Sequence, residues 1–286
     1  MFTIIGVIVV VAAILGGFVM EHGPLQVLYQ PAEALIIFGS VLGAFFIGSS
    51  RSMFGRVLKS VGAILSMRYN SRQNYLELLG LMNMLFGKMR REGMASIERD
   101  VEHPGESHAF ANFPLVTKDP AVVLFICDTL RVFLTTGDQS EIEKLMKLDM
   151  EAMRDRAEAA AGMISKMAES LPGLGIVAAV LGVILTMGQI SQPPEILGRS
   201  IGAALVGTFL GVLFCYGFVG PMAIKLENLA QERDMYFNVI RAAITAAVSG
   251  SSPIMAVEYG RRAIPEDVRP TFFEMEEWLK SSGGRH

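Results

Sequence analysis

Two uncharged runs constrain this chain more than anything else in it: Leu171–Ile190 (LPGLGIVAAVLGVILTMGQI) and Ser200–Ile224 (SIGAALVGTFLGVLFCYGFVGPMAI). They are 20 and 25 residues long, and a bilayer core takes about 20 apolar helical residues. Both read as membrane-spanning helices joined by a short outer connection. Small residues recur in them at helix-contact spacing: Ala203, Gly207 and Gly211 at i, i+4, i+8, and Gly175 and Ala179 at i, i+4. Such stripes let helix backbones approach closely. Pro172 opens the first run and Pro221 nearly closes the second, so antiparallel spans would carry both in one leaflet. Thr186 is 14 residues from Pro172 and Thr208 is 13 from Pro221, which predicts two hydroxyls at one depth. Each either lines a polar path or bonds back to its own helix carbonyl.

Residues 2–20 form a third uncharged run. No basic segment precedes it and another span follows at once, so a cleaved signal peptide is not expected. After the turn Glu21–Pro24, QPAEALIIFGSVLGAFFIGS returns across the membrane, with Pro31 in the first turn and Gly39 and Gly43 as a further close-contact face. Its one charge, Glu33, lies three residues inside the span and is expected in the headgroup zone rather than as a buried proton carrier. Of the 25 Lys and Arg residues, all but Arg199 fall in 51–170 and 222–286. By the positive-inside tendency those two segments are cytoplasmic. A chain 51% hydrophobic yet 19% charged fits this division between bilayer and water.

The fold class expected is all-α: a polytopic membrane protein with four transmembrane helices and a helical cytoplasmic domain. The boundaries are 1–50 for a first hairpin, 51–169 for a cytoplasmic domain, 170–224 for a second hairpin lining the ion pathway, and 225–286 for a cytoplasmic extension and tail. Arg51, Arg56, Lys59 and Arg68 should face anionic lipid. Residues 71–91 have the spacing of an amphipathic helix. In AVVLFICDTLRVFLTTG the Asp128 and Arg131 pair argues against a fifth span and for a buried cytoplasmic helix. A long helix from Asp138 runs into the Pro172 span, and the tail after Val248 should hold two short helices with Ser281–His286 frayed. Cys127 and Cys215, in different compartments, cannot pair. His103 and His108 with Asp100, Glu102 and Glu106 fit no metal template. No nucleotide loop, catalytic signature or paired-cysteine site is present, so neither enzyme chemistry, a cofactor nor a nucleic-acid partner is expected.

A proton path needs a titratable group, and none of the four spans has a central one. A conduit built here would borrow its acid from a second protein. The alternative is a passive membrane scaffold.

The motifs LYQPAE (28–33), GMASIERDVEHPGES (93–107), SLPGLGIVAAVLG (170–182), VGTFLG (206–211), YGFVGP (216–221) and VEYGRR (257–262) together resemble the MotA family of flagellar stator subunits, within the MotA/TolQ/ExbB superfamily. The resemblance implies an inner-membrane homo-oligomer, a pentamer ringing a dimer of MotB, whose membrane helix supplies an essential aspartate. It implies proton entry driving rotation against the rotor protein FliG. By the same resemblance Arg90 and Glu98 contact the rotor, Pro172 and Pro221 couple protonation to movement, and Thr208 and Tyr216 line the pathway, to which the equal-depth reading adds Thr186. Sodium-driven relatives carry Thr where this chain has Ala179, which favours protons. Asp149 departs from the longer acid usual there. An ExbB- or TolQ-like energiser is the competing reading, opposed by four spans and GMASIERD.

Overall fold

The computed structural model describes residues 2–66 and 71–283, apart from the side chains of 2, 63–66 and 281–283. Arg68 and the last three residues of the expected frayed end therefore lie outside the described residues. All regular structure in them is helical, and four helices are long and apolar enough to cross a membrane. The chain separates into two compact units, one of residues 1–66 and 157–227, the other of 67–156 and 228–286. Those boundaries differ from the expected ones: 157–169 groups with the apolar spans because its helix runs on unbroken into the uncharged run from Leu171, and 51–66, a separate helix, groups with them as well.

In the first unit, α1 (Phe2–Met20) is apolar on every side and exposes Ile4, Ile8, Val9 and Val19. A helix with no polar face takes hydrocarbon as its solvent. A 3₁₀ turn at Leu25–Leu28 leads into α2 (Pro31–Gly48), and α3 (Arg51–Ser66) follows. The expected Gly39 and Gly43 face is unused within the chain: a Cβ on Gly43 would meet nothing within 4 Å, and one on Gly39 only Leu35 of its own helix. Instead Ile37 and Val41 pack with Ala168, Leu171, Ala178 and Cys215, and Phe38 meets Phe214 edge to face at 4.6 Å.

The second unit is built on α4 (Arg72–Glu92), capped by the Ser71 hydroxyl accepting from Asn74 N–H. Its residues 75–82 are buried on all sides, which corrects the amphipathic expectation. Short helices α5 (Glu98–Glu102), α6 (His108–Ala111) and α7 (Pro114–Thr117) follow, then α8 (Pro120–Thr136). Leu78, Leu81, Met82 and Leu85 share a core with Phe110, Phe125, Ile126, Leu130 and Phe133. Glu77, buried within α4, accepts the Leu115 N–H at 2.8 Å and so satisfies the start of α7. Asp128 and Arg131 pair on α8 as expected but at the surface, where Arg131 also reaches Glu102 and the Val101 carbonyl and ties α8 to α5.

α9 (Gln139–Met187) is one helix of 49 residues with Pro172 inside it, and Asp138 caps its start by accepting from Ser140 and Glu141. α10 (Pro194–Leu213) passes through a π turn at Phe214–Val219 into α11 (Gly220–Val248). The tail is α12 (Pro253–Ala263) and α13 (Phe272–Gly283), the two helices expected, with 281–283 helical rather than frayed. Gly260 lets α12 sit close, since a Cβ there would come within 3.1 Å of Leu79 and 3.2 Å of Ala243. Glu258 accepts from Arg261 Nε and Nη2, each at 2.7 Å, and from Arg262 Nε at 2.8 Å. Arg261 also donates to the Pro270 carbonyl and Arg269 to that of Ile264, so VEYGRR is a clasp that fastens the tail.

Candidate functional site

The small-residue stripes of α9 and α10 meet, and the geometry of that seam follows from their lack of side chains. A Cβ on Gly211 would lie 2.6 Å from the Leu171 carbonyl oxygen, and one on Gly175 would lie 2.8 Å from that of Gly207. At the other end Gly182 faces Ala204, not the Ala203 expected from spacing. Ala179 is buried in the seam, its backbone nitrogen 3.1 Å from the Cβ position of Gly207. Thr208 follows Gly207 and is half-buried. The structure therefore brings Ala179 and Thr208 to one level.

Thr186 and Thr208 are not level, which corrects the equal-depth expectation. The register set by Gly182 with Ala204 and Gly175 with Gly211 places Thr186 about 12 Å along α9 from the level of Thr208, at a rise of about 1.5 Å per residue. Thr186 is 2% exposed and donates to the Gly182 carbonyl at 2.9 Å, so its hydroxyl is spent on its own helix. By the same register Pro172 lies near Phe214, roughly 10 Å short of Pro221. Close contact between small residues sets the antiparallel register, and the prolines do not.

Pro221 follows the π turn with only Gly220 between them. It offers no N–H and its ring crowds the preceding turn, and the Gly220 N–H instead reaches back five residues to Cys215 O. A Cβ on Gly220 would lie 2.7 Å from that oxygen, so glycine permits the wide turn. Tyr216, within it, is 74% exposed, while Pro172 is half-buried in an otherwise continuous helix.

Arg90 and Glu98 are both exposed, one in the last turn of α4 and the other opening α5. Gly93, at φ 89°, ends α4 in a conformation that favours glycine and turns the chain between them. The segment is pinned from below: Asp100 takes Lys88 at 2.8 Å and the Ser107 hydroxyl at 2.6 Å, and Ser107 in turn accepts from Ala109 N–H. Asp100 and Glu102, weighed above as metal ligands, are thus committed to Lys88, Ser107 and Arg131. Asp149 lies on α9 beside an apolar hollow of about 340 Å³ that also takes in Phe125, Leu145 and Leu148.

Glu33 overturns the headgroup expectation. It is 9% exposed, seated between α9 and α10 against Gly182 and Gly207. Sequence spacing missed it because distance from the end of α2 says nothing of how far the neighbouring helices extend beyond it.

Residues 4–93 match the family model Motility protein A N-terminal, and residues 123–238 match the MotA/TolQ/ExbB proton channel family. The Motility protein A of Salmonella typhimurium is 36% identical over 282 residues, covering 98% of this chain and 96% of that protein. The chain belongs to the Motility protein A family. Chemotaxis protein LafT of Vibrio parahaemolyticus is 33% identical over 98% of this chain and 99% of its own length. A chain of the flagellar MotAB stator complex from Bacillus subtilis shares the fold, with a TM-score of 0.78 at 23% identity over 93% of this chain and 97% of that one. As a member of this family, the chain is a multi-pass membrane protein and a stator subunit of the proton-channel class.

Proposed function

We propose that this chain works in a bacterial cytoplasmic membrane as part of a homo-oligomer, a pentamer, around two copies of a MotB-type partner whose single membrane helix brings an essential aspartate. Protons passing between the wall made by α9 and α10 and the partner helix neutralise that acid. The resulting change at Pro172 and at the π turn before Pro221 moves the segment carrying Arg90 and Glu98 against a FliG-type rotor protein. Residues 67–156 and 228–286 lie on the cytoplasmic side with the Lys- and Arg-rich segments, and the basic face of 51–66 meets anionic lipid. The observation that carries this reading is the closely packed seam in which Ala179 and Thr208 share a level, formed by two runs, 171–190 and 200–224, that contain no charged residue. Supporting it is the energy scale: one charge moved through 100 mV yields about 2.3 kcal/mol, within the roughly 1–3 kcal/mol of a typical coupling free energy.

The deciding experiment compares liposomes holding this chain alone with liposomes holding the chain and its partner. The chain alone should keep an imposed pH gradient as well as empty vesicles do, and the complex should dissipate it. A silent complex would leave the scaffold reading in its place.

A further inference from the structure

Four buried carboxylates stand among the described residues: Glu33, Glu77, Asp100 and Glu258. Three are paid in hydrogen bonds. Glu77 accepts from Leu115 N–H, Asp100 from Lys88 and Ser107, and Glu258 from Arg261 and Arg262. Glu33 differs, because its Oε2 is buried with no hydrogen-bond partner. The slot that holds it is made by absent side chains: Oε1 lies 3.3 Å from the Cβ position of Gly182, and Oε2 lies 2.8 Å from that of Gly207. A side chain at Gly207 would displace the carboxyl group, and one at Gly182 would press on it and clash with Ala204.

Among the described residues, the elements around it supply nothing to neutralise it. The part of α9 in the seam, 171–187, carries no charge, and α10 faces it with Ala204 and Gly207. The charged residues of α10, Glu195 and Arg199, are exposed near its start, as are Glu21 and His22 in the turn before α2. The 3₁₀ turn at Leu25–Leu28 has no titratable residue, and α2 has no other. An ionised carboxylate in such a place is costly, and taking up a proton removes the cost. The carboxyl group also sits where transport would use it, since Gly207 precedes Thr208 and faces Ala179.

We propose that Glu33 is a second proton-binding station on the pathway, one this chain supplies itself, between the outer aqueous side and the acid of the partner helix. This rests on the conducting function proposed above. A proton from the outer side bonds to the Glu33 carboxylate and leaves it neutral. That O–H bond then breaks as the proton moves, directly or through water, to the partner's carboxylate, and Glu33 is recharged from outside. No other reactant is consumed.

The test uses the complex with its single-span partner, reconstituted in liposomes. Glu33→Gln preserves shape and removes titration, so proton flux should fall about tenfold or more, and its dependence on outer pH at fixed gradient should flatten. Glu33→Asp should retain part of both. A Glu33→Gln complex with wild-type flux and pH profile overturns the proposal while leaving the conducting function standing. A wild-type complex without flux defeats that function and this station together. Should Glu33→Gln fail to assemble, the wild-type complex is treated with a hydrophobic carbodiimide, which modifies protonated buried carboxyls. Modification of Glu33, read by mass spectrometry and increasing as pH falls, is expected to track loss of flux, and its absence at every pH overturns the proposal.

Discussion

Lys88 Nζ lies 2.8 Å from Asp100 Oδ2, joining the last turns of α4 to α5 beneath the exposed Arg90 and Glu98. The segment that carries Glu98 is therefore held by a side-chain pair that does not itself face outward. Asp100→Ala leaves the Ser107 hydroxyl and the Lys88 ammonium without their acceptor. It should cost about 1–3 kcal/mol, speed proteolysis between 93 and 107, and reduce swimming with proton flux unchanged. Normal swimming together with unchanged protease resistance would show that the pair positions nothing.

Reversing the charge of Arg90 or Glu98 should weaken motility while leaving proton flux and assembly intact, because both side chains are exposed and exposed charges govern specificity and association rate more than folding. A compensating charge on the rotor protein should restore swimming. Normal swimming by the double reversal would remove the rotor contact from these two residues.

Acid should loosen the tail. The Arg261 hydrogen bonds, with Arg262 added and burial opposing, hold the Glu258 carboxyl well below its usual 4.5, at about 2. Its folded pKa is depressed, so the stability it contributes is present above pH about 4.5 and is lost as pH falls toward about 2. Glu258→Gln should cost on the order of 3 kcal/mol at neutral pH and flatten this part of the stability profile, measured by thermal unfolding in detergent. An equally steep acid profile in the variant would assign the dependence elsewhere.

Gly211→Ala places a methyl group 2.6 Å from the Leu171 carbonyl oxygen, where backbone must move. The cost should be about 1–3 kcal/mol and the solubilised chain should melt earlier. Gly43→Ala enters open space and should leave the melting temperature of the chain unchanged. Equal effects of the two substitutions would contradict the seam geometry.

Pro221→Ala removes the reason for the π turn. Relaxation to α-helical hydrogen bonding would rotate the start of α11 by about 100° per residue taken up, so torque should fall with expression and partner binding retained. Pro172→Ala should also lower torque. Because the two prolines are roughly 10 Å apart in depth, their effects on torque, compared as logarithms in single and double variants, should add. A double variant no worse than the worse single one would mean one shared hinge.

The sequence alone determined the four spans and the glycine and alanine stripes, because each depends on composition and helical period along a single helix. The helices around Asp138 and Asp128 were legible for the same reason, as were the motifs of the family. Tertiary structure decided whatever depends on register between helices. Spacing could identify Gly207 and Gly211 as contact residues but not that Gly182 meets Ala204, so it could not reveal that Thr186 and Thr208 sit at different levels. Nor could counting along α2 show that Glu33, three residues into its span, enters a slot between two other helices. Burial belongs to neighbours, and a residue's distance from the end of its own helix does not contain them.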